Sequence, residues 1–202
     1  MSHDTWAHKL VLVAVRPLAR TAVTPNQVTT ARLITGLAAV AMLASGDPAW
    51  VAAGGALYVF SMLLDRADGL LARLTGTSSR WGHVYDLICD YTVTALLFVG
   101  IGVGLRDGGL GWWAAALGLI AGASVTAIFW IAYKIDALTP PERSPIPGAG
   151  GFDPDDTLFV AGPLAWLGWL QPFLVLAAIG APLFLMIVAV YYFKLRRRAA
   201  DA

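Results

Sequence analysis

The chain has 202 residues, about one domain by length. Hydrophobic residues make up 58% and charged residues 13%, with a mean hydropathy of +0.68; a soluble domain carries about 25% charged residues, so an ordinary water-facing surface is excluded. A net charge of +1 supplies no basic field for nucleic acid, and a single cysteine, Cys89, excludes an internal disulfide and reads as a small packing residue.

In chain order, the first residues, MSHDTWAHKL, are polar, and the short apolar stretch after them is interrupted by Arg16, Pro17 and Arg20. This does not read as a cleavable signal peptide. Residues 5–24 mix Arg and Lys with Leu and Val and are expected to form an amphipathic helix lying in the membrane interface. A spanning helix needs about 20 mostly apolar residues. Candidate spans fall at 28–46, 49–64, 83–104, 110–134, 156–169 and 172–193. The fifth is short and is broken by Gly162 and Pro163. The expected fold is therefore an all-α integral membrane protein with six transmembrane helices plus an N-terminal interfacial amphipathic helix. It forms one domain over residues 1–202, with a single long loop at 137–156.

Charge placement sets the orientation. With both termini cytoplasmic, every Lys and Arg except Arg106 falls on the cytoplasmic side, including Arg32, Arg66, Arg73, Arg80, Lys134, Arg143 and the Lys194–Arg198 cluster. Trp112, Trp113, Trp166 and Trp169 lie near expected span ends and read as interfacial anchors. His3, His8 and His83 show no ligand spacing.

The segment DRADGLLARLTGTSSRWGHVYDLICD places carboxylates where apolar residues are expected. Such residues at a membrane helix usually mark function. On a helix, Asp65, Asp68, Gly69, Ala72 and Arg73 share one stripe, and Gly82, Asp86 and Asp90 share another. Two facing helices would gather the four aspartates beside a floor of Gly and Ala. Crowded carboxylates need cations, and oxygen-only ligands favour Mg²⁺, Mn²⁺ or Ca²⁺ over Zn²⁺. A pair of such ions can clamp a pyrophosphate, Arg73 can add a phosphate contact, and one aspartate can act as a general base.

The spacing D-x2-D-G-x2-A-R-x8-G-x3-D-x3-D, filled by Asp65, Asp68, Gly69, Ala72, Arg73, Gly82, Asp86 and Asp90, resembles the signature of the CDP-alcohol phosphotransferase family. The segment Thr24–Thr29 (TPNQVT) resembles the family's approach to its first membrane helix. The resemblance implies that Asp65, Asp68 and Asp86 hold a two-metal Mg²⁺ or Mn²⁺ centre, with Asp90 both an additional metal ligand and the base on the acceptor hydroxyl. It implies that Gly69, Ala72, Arg73 and Gly82 bind the CDP donor, helped by Asn26, Thr29 and Ser79. The donor would be a CDP-activated lipid, the acceptor a small alcohol, the leaving group CMP, and the assembly a homodimer in the cytoplasmic membrane with its site on the cytosolic side. Glycines in spans three (Gly100, Gly102, Gly104) and four (Gly111, Gly118, Gly122) offer faces for close packing.

The acceptor is less defined. Lys134 and Arg143 are candidate acceptor contacts, as are Asp155 and Asp156, which alternatively cap the fifth span. Family members acting on glycerophosphate or inositol phosphate commonly carry Lys or Arg directly after the last aspartate. Tyr91 stands there, which weighs against those acceptors. The competing reading is a transporter or channel using the aspartates as a cation path. It has no need for the phosphate-binding DGxxAR element. A catalytically inert scaffold is disfavoured by the intact aspartates.

Overall fold

The computed structural model describes residues 6–138 and 158–200. Among them the chain forms helices and no strands: α1 (Trp6–Leu18), α2 (Pro25–Ala44), α3 (Pro48–Thr75), α4 (Arg80–Gly104), α5 (Trp113–Leu138), α6 (Ala161–Trp166) and α7 (Leu170–Ala200). Among the described residues, α2, α3, α4, α5 and α7 are long and apolar enough to cross a membrane.

The boundaries follow from local chemistry. Thr24 caps α2 in a reciprocal arrangement with Gln27, and Pro25 occupies the first turn, where its missing N–H costs nothing. Asp47 caps α3 by accepting from the amides of Ala49 and Trp50, and Ser79 caps α4 by accepting from Gly82. Gly46 (φ 74°) and Gly76 (φ 64°) take the left-handed conformation that closes the two turns between these helices. Short turns make α2, α3 and α4 antiparallel neighbours. The start of α2, the end of α3 and the start of α4 consequently meet at one end of the bundle.

Glycines set how closely the helices approach. A Cβ on Gly122 would lie 2.6 Å from the Ala95 carbonyl, and one on Gly118 would strike the Phe98 carbonyl. A Cβ on Gly100 would lie 2.9 Å from Val40, while Gly102 and Gly104 press on Ala114 and Leu43. The glycine faces expected to allow close packing therefore serve α2–α4 and α4–α5 contacts within one chain. Gly111 instead occupies a turn with φ 54°. The core between these helices contains Leu43, Tyr58, Leu97, Phe98 and Ile101, each nearly inaccessible. Leu176, Ile179, Leu183, Phe184, Met186 and Ile187 on α7 face outward, as a helix meeting lipid requires.

The expected span at 156–169 differs from the structure. Its described part is a 3₁₀ turn at 158–160 followed by the six-residue α6, about 9 Å of helix. Pro163 lies within it, and Gly168 (φ 70°) turns the chain into α7. The Trp166 indole donates to the Ala52 carbonyl at 2.9 Å, fastening α6 to the first turns of α3 at the opposite end of the bundle from the aspartates. The loop residues Arg143, Asp155 and Asp156 lie outside the described residues. At the N-terminus, α1 is present and lays Val11 and Val15 against Val28, Leu70 and Leu71.

Gly118→Ala and Gly122→Ala are each expected to destabilise the protein by about 1–3 kcal/mol, because the added methyl meets backbone. Gly180→Ala on α7, where a Cβ meets nothing within 4 Å, is the control and should not lower stability. Thermal unfolding in detergent checks all three.

Candidate active site

Three helices build the site. The second half of α3 carries Asp65 and Asp68, the first half of α4 carries Asp86 and Asp90, and the first turns of α2 supply Asn26, Thr29 and Arg32. Helical spacing aims each set inward: Tyr58, Ser61, Asp65 and Asp68 run along one face of α3, and Gly82, Asp86, Cys89, Asp90 and Val93 along one face of α4.

One carboxylate oxygen from each of Asp65, Asp68 and Asp86 lies within 4.8 Å of the others. A Mg²⁺ ion at about 2.1 Å from its ligands spans at most about 4.2 Å between opposite oxygens, so side-chain adjustments of a few tenths of an ångström would close the cup on a cation. The all-oxygen donor set suits a hard divalent ion. These residues can therefore hold a metal, in agreement with the sequence expectation.

Two neighbours hold the aspartates. Asp68 is buried, and its Oδ2 accepts from the Thr29 hydroxyl at 2.7 Å. The Thr29 hydroxyl also lies 3.1 Å from the Pro25 carbonyl of its own helix. Arg32 has a side-chain exposure of 3%, and its Nη1 lies 3.0 Å from Asp65 Oδ1 and 3.6 Å from Asp86 Oδ1. Its Nη2 donates to Asp90 Oδ1. Arg32 is thus a centre of charge compensation inside the bundle rather than only one of the cytoplasmic flanking charges. The signal that could have found it is a lone arginine set into an otherwise apolar helix.

The small residues surround the mouth of this cluster. A Cβ on Gly82 would lie 3.0 Å from Ser79 Oγ and 3.1 Å from Asn26 Oδ1, so Asn26, Ser79 and Gly82 are brought together. Above Gly69 the nearest atom is Arg73 Nη1, at 3.7 Å from a Cβ position, which places the exposed Arg73 guanidinium over its own helix face. Ala72 is half-buried on that face, and its carbonyl accepts from Thr77. Thr30 and the Tyr85 hydroxyl, 3.0 Å apart, join α2 to α4 at the same level. Lys134 is half-buried near the end of α5, with its ammonium 5.5 Å from the centre of the Trp130 ring. His83 is exposed and packs 5.7 Å from Tyr133.

Beside the cluster, beneath α1, is an apolar cavity of about 230 Å³ lined by Val11, Val15, Val28, Leu64, Ala67 and Leu71, among others. Leu64 and Ala67 of α3 line this space, while Asp65 and Asp68 lie on a different face of the same helix.

Comparison with known proteins agrees with this architecture. The family model for CDP-alcohol phosphatidyltransferase matches residues 22–191. Phosphatidylinositol phosphate synthase of Mycobacteroides abscessus is 33% identical over 118 residues, which cover 57% of this chain and 47% of that relative's own length. The crystal structure of Mycobacterium tuberculosis phosphatidylinositol phosphate synthase with manganese and citrate superposes with a TM-score of 0.62 at 24% identity, covering 88% of both chains. The same synthase with CDP-DAG bound gives a TM-score of 0.63 at 23% identity, covering 89% of this chain and 94% of that one.

Thr29→Val removes the bond to Asp68 with little change in shape. It is expected to weaken Mn²⁺ binding by about 10-fold or more, the usual consequence of losing a partner that orients a metal ligand. A Mn²⁺ titration of substrate-free protein followed by electron paramagnetic resonance checks this.

Proposed function

Since the chain belongs to the CDP-alcohol phosphatidyltransferase family, we propose that it transfers a substituted phosphate group from a CDP-activated lipid to an alcohol, releasing CMP. The observation that carries this reading is the convergence of the aspartates: Asp65, Asp68 and Asp86 form a cation cup, and Asp90 joins Asp65 and Asp86 around the Arg32 guanidinium.

In this reading Asp65, Asp68 and Asp86 bind a two-metal centre of Mg²⁺ or Mn²⁺, with Asp90 near enough to contribute. When bound, the ions supply positive charge to the diphosphate and to the transition state at phosphorus. Gly69, Ala72 and Gly82 leave room for the cytidine diphosphate to approach the helix backbones, and Arg73, Asn26 and Ser79 offer it hydrogen-bond partners. Thr29 acts through Asp68. The lipid tails of a donor such as CDP-diacylglycerol extend toward the apolar cavity under α1. Asp90 accepts the proton of the acceptor hydroxyl. That oxygen forms a bond to the phosphorus bearing the donor's lipid, and the bond from this phosphorus to the bridging oxygen of CMP breaks.

The acceptor is a small alcohol. The kinship with phosphatidylinositol phosphate synthases puts phosphorylated polyols first among those to try, although Tyr91 stands in the place of a basic residue. Lys134, Arg143, Asp155 and Asp156 remain the candidates for acceptor recognition. In the membrane, α1 lies along the cytoplasmic interface, and the site and both termini face the cytosol. A homodimer would have to use outward-facing surfaces such as α7, because the glycines of α4 and α5 are occupied within the protomer.

Purified protein given Mn²⁺ or Mg²⁺, CDP-diacylglycerol and a panel of alcohols is expected to release CMP only with its own acceptor, and chelation should stop release. Asp90→Asn should slow turnover by about 100-fold or more while leaving the protein folded, the scale on which a general base contributes. Folded protein that forms no CMP with any combination, or an Asp90→Asn variant at full rate, would sink the proposal.

A further inference from the structure

The end of the bundle opposite the aspartates holds a second cavity, of about 320 Å³, at the lower bound of small-ligand pockets. Its lining includes Leu43 at the end of α2, Gly46 in the following turn, Val51 and Ala52 in the first turns of α3, Leu105 after α4, and Trp166 of α6. Close-packed interiors leave few voids larger than a water molecule, so a space of this size calls for an occupant. Trp50, Trp112, Trp113, Trp166 and Trp169 are exposed and all belong to this end of the bundle, the arrangement of a membrane–water boundary. Arg106 lies at the cavity's edge. Its Nη1 donates to the carbonyls of Ala44 and Val103, each at 3.0 Å, and so bridges the ends of α2 and α4. Leu43 and Gly46 lie on either side of the first carbonyl in the chain, Gly104 and Leu105 follow the second, and all four line the cavity. Nη2 lies 3.5 Å from Asp107 Oδ2, whose side chain is 82% exposed. An ion pair so exposed is weak and readily exchanged. The guanidinium is thus fixed by two carbonyls and offers its other nitrogen to an anion at the surface.

We propose that this cavity is a phospholipid site: one acyl chain enters the space between α3, α4 and α6, and the lipid phosphate replaces Asp107 at Arg106 Nη2. The chemistry calls for a molecule with an apolar tail and an anionic group at a membrane boundary. A water needs several polar partners, which the apolar side chains of the lining do not offer, whereas hydrocarbon is the medium at hand in a bilayer. Arginine meets a phosphate oxygen through a charge-assisted hydrogen bond, stronger than a neutral one. Trp166 walls the chain, and its indole, donating to the Ala52 carbonyl, is held in that place. The site is separate from the aspartates and from the cavity under α1, which lie toward the other ends of α3 and α4. It stands whether or not the chain is a transferase. A lipid seated there ties the turn after α2, the end of α4 and the short α6 together.

The test uses full-length protein in phosphatidylcholine nanodiscs with one of two probes as a minor component. One probe is a phosphatidylcholine with a diazirine in the upper part of one acyl chain. The other is the diacylglycerol with the same chain and no phosphate. After irradiation, mass spectrometry of peptides compares adducts at Val51, Ala52 and Leu105 with those at Leu176 and Ile179, which face outward on α7 and meet any surrounding lipid. In the wild type the cavity residues should be labelled more than α7. The phospholipid probe should label them about 10-fold better than the diacylglycerol, the scale of one hydrogen bond to a charged group. Ala52→Phe puts a ring into the cavity and should abolish adducts there while leaving those on α7; Val51→Phe serves if that variant does not fold. Arg106→Gln should bring the two probes to within about twofold of each other. Cavity labelling no greater than that of α7, or equal labelling by the two probes in the wild type, would overturn the proposal. So would cavity adducts that survive a filling variant, or a phosphate preference that survives Arg106→Gln. No arm of the experiment depends on CMP release.

Discussion

A guanidinium held out of water among carboxylates from two other helices is the constraint around which this bundle is arranged. Removing an ion from water costs several kcal/mol even after relaxation, and attraction between partners repays it only when the geometry is good. Arg32 meets that condition only because α2 is close enough for its Nη atoms to reach both Asp65 on α3 and Asp90 on α4. The ion cluster does not itself supply this closeness. It comes from apolar packing deeper in the bundle, where Leu43, Tyr58, Leu97 and Phe98 are sealed, and from glycines such as Gly54 and Gly100 that let the helices approach to backbone distance. The glycine-permitted core and the charged site are thus parts of one arrangement, the first offsetting the cost of the second.

That division of labour explains what could be read from the sequence. The aspartates were legible because helical spacing is a one-dimensional signal: Asp65 and Asp68 three apart, Asp86 and Asp90 four apart, each in an apolar context. The helices were legible for the same reason, and the expected spans at 49–64 and 83–104 fall within the observed α3 and α4. The segment TPNQVT was legible only as a likeness to a family's first membrane helix, and the structure adds that its Thr, Pro and Gln form a capping box with proline in the first turn.

The partners of the aspartates were not legible. Arg32 lies near the start of an apolar run, where a basic residue ordinarily marks the membrane edge. Its real role depends on contacts 33 to 58 positions along the chain, the latter separation recorded for its bond to Asp90. The bond of Thr29 to Asp68 was hidden for the same reason, since only the packing of α2 on α3 brings the two together. The glycines of α4 and α5 announced close packing without naming the partner, and the partner is this same chain. The expected fifth span is the clearest departure. Hydropathy over 156–169 is high enough to suggest crossing, but Pro163 and Gly168 break the continuity on which a spanning helix depends, and the Trp166 bond to Ala52 fastens the resulting short helix to α3.

Chain direction then ties the site to its surroundings. Because α2, α3 and α4 alternate, the aspartates must lie at the end where α2 begins. The preceding helix, α1, is thereby delivered to the same end, where Val11 and Val15 cover Leu70 and Leu71 beside Asp68. At 28 residues α3 is about 42 Å long, more than the roughly 30 Å hydrocarbon core requires, so its last turns can carry charge without placing it at mid-membrane. One helix serves both environments through different faces: Leu63, Leu64 and Ala67 line the apolar cavity, while Asp65 and Asp68 belong to the carboxylate cup. Antiparallel topology and one long helix together place the carboxylates and the apolar cavity at the same end of the bundle.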